Sequence, residues 1–264
     1  MTNVLSDLPG DQALPLPVAT ILPKIQPLVL DGSNSVRQQL LKLLQVLPPA
    51  QVSAHVDQLL LYVRAGMTHL AANIRASSLD VLEWLLRIGG QEVVSCAGGW
   101  LKTLNCFMSL LGWQNAEKAG KWSSTHASFG KSGSEGKVLV KQLTLLTLFL
   151  DAGFRDSNRS DADDSSVPSF PVCSNSHVVL YARSNPFRNL NLFGTVRDVD
   201  SNMYDDAEAR KRAFHEQAFL AVTRGMQVAK KEGGEVGRAA AGLEKVLLDG
   251  MGDVVAEEDQ ETPA

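Results

Sequence analysis

The stretch 36–47, VRQQLLKLLQVL, recurs in outline 38 positions later as the stretch 74–85, IRASSLDVLEWL. Each copy begins with a β-branched residue and an arginine, Arg37 or Arg75, and leucines follow at helical spacing. A third and looser copy, 140–148, has a lysine where the others have arginine. A helical pattern that returns at this period predicts helical hairpins packed in series.

The bulk composition agrees with a helical protein. Of 264 residues, 44% are hydrophobic, 20% are charged and only 6% are aromatic, and leucine dominates the hydrophobic set. A leucine-rich chain with few aromatic residues favours helices over sheets. We therefore expect an all-α fold, a HEAT- or armadillo-like helical repeat (an α-solenoid) with an irregular strap and C-terminal helices.

Charge and cysteine usage limit the classes of partner and compartment. The net charge of −4 argues against a protein that binds nucleic acid over a whole face, since such proteins are usually basic. Cys96, Cys106 and Cys173 show no C-x-x-C spacing, and an odd number of this kind suits reduced thiols. The longest apolar stretch, 138–150, is interrupted by polar residues and is too short to cross a bilayer, so no membrane partner is expected.

Turn-forming and acidic residues divide the chain into five parts. They are a flexible lead-in (1–16), helical hairpins (17–152) with a long insert (112–136), an acidic linker and irregular strap (153–203), C-terminal helices (204–249) and a disordered acidic tail (250–264). Pro48-Pro49 and Gly89-Gly90 are expected to end helices within the hairpins. The final helix is expected over 235–248.

Motifs for catalysis or cofactor binding are missing from the sequence. The run 129–137 misses the G-x-x-x-x-G-K-[ST] spacing of a phosphate-binding loop and follows no clear strand. The histidines are not spaced from one another or from a cysteine as zinc ligands are, and no G-x-S-x-G elbow is present. We therefore expect no catalytic residue, cofactor, metal or small-molecule substrate, and a nucleotide-binding enzyme is the weaker alternative.

The candidate site residues are structural or interfacial. Arg37 and Arg75, with Asp31, are expected to bond across neighbouring hairpins, because stacked repeats depend on contacts between them. Aromatic residues of the insert and strap are candidates for anchoring a protein partner. They are Trp113, Trp122, Phe129, Phe187 and Phe193. Packing of the two tryptophans back onto the hairpins is an equal alternative.

Direct RNA binding by the insert is a second hypothesis. Its lysines would contact phosphates, against the plainer interpretation of a solvated loop. They are Lys118, Lys121, Lys131 and Lys137. The basic run 209–212 is interpreted as the solvated face of its helix, with a nuclear-import signal as the weaker alternative.

Several strings in the chain resemble one protein family. They are 60–70 (LLYVRAGMTHL), 78–86 (SLDVLEWLL), 94–100 (VSCAGGW), 110–113 (LLGW), 184–194 (SNPFRNLNLFG) and 229–238 (AKKEGGEVGR). On these strings the chain resembles the fungal-type pre-rRNA-processing protein Ipi-one family, which is related to testis-expressed protein ten. The resemblance covers about residues 20–240.

The resemblance implies a non-enzymatic, HEAT-like subunit of the Rix complex, whose partners are a larger helical scaffold and a WD-repeat protein. It also implies a role in the nucleus on precursors of the large ribosomal subunit, beside the AAA ATPase midasin. Processing of the second internal transcribed spacer would depend on that complex. Family members carry a lysine-rich leader that we expect to be missing here, which weakens the expectation of nuclear import and rRNA contact.

Overall fold

The computed structural model describes residues 17–113, 133–155 and 199–261. Every described element is helical and none of these residues lies in a strand, which confirms the all-α fold class for this part of the chain. Several predicted segments and residues lie outside the described ranges. They are 1–16, Lys118, Lys121, Trp122, Phe129, Lys131, Cys173, Phe187 and Phe193.

Prolines divide the first helices into short pieces. Helix α1 (Val18–Ile25) passes directly into a 3-10 helix (Gln26–Leu30), because prolines in this stretch have no amide hydrogen to donate. Helix α2 (Asn34–Val46) ends before the two prolines, as predicted. Two further helices then follow, α3 (Pro49–Ser53) and α4 (Val56–Met67).

Helix α5 (Ala72–Ser95) is longer than predicted. The predicted break at Gly89-Gly90 is present as a kink, since Gly89 leaves helical geometry (φ −159°, ψ 54°), but a second helical segment follows it directly as far as Ser95. Val93 and Val94 beyond the break are fully buried, so core packing continues the helix past its glycines. Helix α6 (Leu101–Leu111) ends at Gly112, whose φ of +67° provides the left-handed cap, and α7 (Gly133–Phe154) follows the insert.

The C-terminal helices begin after a 3-10 turn (Val199–Ser201). Helix α8 (Ala207–Phe214) is capped by the carboxylate of Asp206, which accepts a bond from the amide of Ala209. One π-helical turn (His215–Phe219) joins α8 to α9 (Leu220–Glu232).

The last helix, α10 (Gly234–Glu261), overruns its predicted end at 248. The tail 250–264, predicted to be disordered, is helical as far as Glu261. Buried Leu243, Leu247 and Met251 follow one another every fourth residue, so the apolar side of the helix continues past Gly250. This packing accounts for the helix as far as Met251.

The helices that follow the hairpin turns lie beside one another. Helix α5 packs against α2 and α7, and α7 packs against α10. Helix α4 packs against the 3-10 helix, α5 and α6. Trp100 lies in the core, where its ring stacks on Phe149 with centroids 4.9 Å apart, meets Phe154 edge-on and lies at a tilt to Phe214.

Large rings lie directly on glycines where helices meet. The pairs are Trp100 on Gly153, Trp113 on Gly225 and Phe154 on Gly250. A Cβ atom at any of these glycines would overlap the ring above it. The absence of a side chain therefore sets how closely these helices approach.

Candidate interaction surfaces and the arginine clamps

Arg37 is the fourth residue of α2 and is almost completely buried. Its Nη1 donates to the carbonyl oxygen of Asp31 at 2.5 Å, and its Nε donates to the Ser77 hydroxyl on α5 at 3.0 Å. Asp31 thus contributes its carbonyl, while its carboxylate accepts a bond from the amide of Ser33. The guanidinium joins the turn before α2 to the neighbouring hairpin.

Arg75 occupies the same position in α5, but its hydrogen bonds do not cross to the neighbouring hairpin as predicted. It is the fourth residue of the helix, and its Nη1 donates to the carbonyl oxygens of His69 at 2.8 Å and Leu70 at 2.7 Å. These bonds lie within one hairpin, so Arg75 fixes the turn between α4 and α5 and does not bridge to the next hairpin through them. Leu70, 96% exposed, lies on this turn.

Arg210 is a third arginine of the same kind, and the interpretation of 209–212 as a solvated face is wrong for it. It is the fourth residue of α8 and is fully buried. Its Nη1 donates to the carbonyl oxygens of Tyr204 at 2.7 Å and Asp205 at 3.0 Å, six and five residues earlier, as in Arg75. We call Arg37, Arg75 and Arg210 the arginine clamps. Each of the three is the fourth residue of a helix that follows a turn, and this shared position is the sequence signal that could have identified Arg210.

The remaining donors of Arg210 reach the end of α7. Its Nε donates to the carbonyl oxygen of Gly153 at 2.7 Å, and its Nη2 donates to that of Arg155 at 3.3 Å and to Gln91 Oε1 at 3.5 Å. The last carbonyls of a helix have no amide partner and carry the negative end of its dipole. These carbonyls explain how a buried cation is accommodated here, and the cation ties α8 to α7.

Lys141, which marks the looser third copy in the sequence, does not clamp a turn. It lies well inside α7 and forms an ion pair with Asp80 on α5, and both side chains are partly exposed. The repeated position in the sequence therefore has two structural roles. Arg37 and Arg75 clamp turns, whereas Lys141 forms an ion pair between two helices.

Neutralising this ion pair is expected to have a small effect. Lys141→Met should lower the free energy of unfolding by only about 0.2–1 kcal/mol, because exposed pairs are screened by water and salt. A double-mutant cycle with Asp80→Asn, followed by urea unfolding, measures the coupling between the two side chains. A coupling above about 2 kcal/mol would show that the pair behaves as buried, contrary to this expectation.

Trp113 was a candidate for anchoring a partner, with packing onto the hairpins as the equal alternative, and in the structure it is packed rather than exposed. It is 9% exposed, and its indole covers Gly225 on α9. Gly225 leaves room for the ring, so Trp113 packs onto the C-terminal helices. Lys137 is exposed on α7, which begins at Gly133, within the predicted insert and four residues before the helix was expected to start.

A metal site and a reactive thiol place different requirements on the side chains of the described ranges. Within 17–113, 133–155 and 199–261, no three or more His, Cys, Asp or Glu residues lie close enough to hold a metal ion. Burial raises the pKa of the Cys106 thiol, and the nearby charge of Arg64 opposes this shift only in part. A thiol with a raised pKa is a poor nucleophile at neutral pH. None of the helices in these ranges is long and apolar enough to cross a membrane.

The described part of the chain defines an all-α protein built of packed helices. Residues 50–150 match the family described as "Rix1 complex component involved in 60S ribosome maturation". The chain is 50% identical to the pre-rRNA-processing protein ipi1 of Aspergillus fumigatus over 259 residues, which cover 95% of this chain and 75% of that protein.

Other relatives give the same result. The identity is 48% over 264 residues to ipi1 of Sclerotinia sclerotiorum, covering 98% of this chain and 76% of that protein. It is 46% over 254 residues to IPI1 of Chaetomium thermophilum, covering 94% and 72%. The chain therefore belongs to the Ipi1 family of pre-rRNA-processing proteins, and the resemblance seen in the sequence is confirmed.

Proposed function

We propose that this protein is a non-catalytic scaffold subunit of a Rix1-type complex that acts in maturation of the large ribosomal subunit. Membership of the Ipi1 family is the observation that carries the proposal. The proposed partners are a larger helical scaffold subunit, a WD-repeat protein and a midasin-type AAA ATPase on the pre-ribosome. The proposed site of action is the nucleus, and the proposed step is processing of an rRNA internal transcribed spacer.

The finer fold in this proposal is a HEAT- or armadillo-like stack of hairpins. Its support is the side-by-side packing of α2, α5 and α7, together with arginine clamps at matching positions in α2 and α5. In such a stack each hairpin contacts mainly its neighbours and leaves extended faces for partners.

The proposed mechanism is binding by a rigid body. The arginine clamps fix the turns before α2, α5 and α8, and the contacts between rings and glycines fix how closely helices approach. A preorganised surface loses little conformational entropy on association, so more of the contact energy appears as affinity. Partners bound to such a body are held in a defined orientation.

Replacement of the resident ipi1 in Aspergillus fumigatus by an affinity-tagged copy of this chain tests the proposal. The expected result is co-purification of the other Rix1-complex subunits with precursors of the large ribosomal subunit, and normal spacer processing. If the tagged chain is well expressed but brings down no ribosome-assembly factor, the proposed function is wrong.

A further inference from the structure

We draw no further inference here: the strongest candidate, the surface patch on the turn between α4 and α5 where Arg75 holds the backbone and Leu70 is 96% exposed, is an apolar feature for which nothing in the structure shows what covers it.

Discussion

Replacing Arg210 by methionine is expected to lower the free energy of unfolding by roughly 3–5 kcal/mol. The guanidinium is fully buried and donates to carbonyls at the end of α7 and in the turn before α8. Methionine fills a similar volume but leaves these acceptors in the core without a donor, and each costs about 1–3 kcal/mol. Urea unfolding followed by circular dichroism measures the loss.

Arg212 provides the matched control for this experiment. It lies two residues further along α8 and is exposed, so Arg212→Met is expected to change stability by less than about 0.5 kcal/mol. Arg210→Lys should fall between the two, since lysine keeps the charge but cannot reach the same carbonyls with a planar fork. A loss below about 1 kcal/mol for Arg210→Met would show that the buried bonds are not needed.

Gly153→Ala is expected to lower the free energy of unfolding by about 1–3 kcal/mol. The added Cβ would overlap the six-membered ring of Trp100. That ring cannot move aside easily, because it stacks on Phe149 and its Nε1 donates to the carbonyl oxygen of Arg210 at 2.9 Å. The overlap outweighs the gain of up to about 1 kcal/mol that alanine normally brings to a helix interior.

Gly136→Ala in the same helix separates these two effects. A Cβ at Gly136 meets nothing within 4 Å, so only the gain in helix preference remains and α7 should become slightly more stable. Thermal unfolding of both variants checks the pair. Equal behaviour of Gly153→Ala and Gly136→Ala would contradict the packing described around Trp100.

Local sequence signals located most of the helices correctly. Leucines at helical spacing mark α2, α5 and α7, and the two prolines at 48 and 49 end α2, because periodicity and missing amide hydrogens act within one turn of the chain. The same signals located the kink of α5 at Gly89 but not the helical segment beyond it, and they misplaced the end of α10. In both helices, buried side chains lie beyond a glycine, and their contacts come from other parts of the chain.

Candidate site residues were harder to assign than helices. Arg37 and Arg75 stood out in the sequence because they repeat, whereas Arg210 lies in a basic run that looks solvated. Trp113 was a candidate anchor because it flanks the insert, but Gly225 on a distant helix provides a place for its ring. Which of these side chains is buried depends on partners that are far away in sequence.

The amino-acid sequence by itself determined the helical class, the spacing of the first arginine clamps and membership of the Ipi1 family, because these depend on local periodicity and on strings of residues. Only the tertiary structure decided that Arg210 joins α7 to α8 and that Trp113 packs on Gly225. The physical reason is that burial of a side chain is a property of all the helices packed around it.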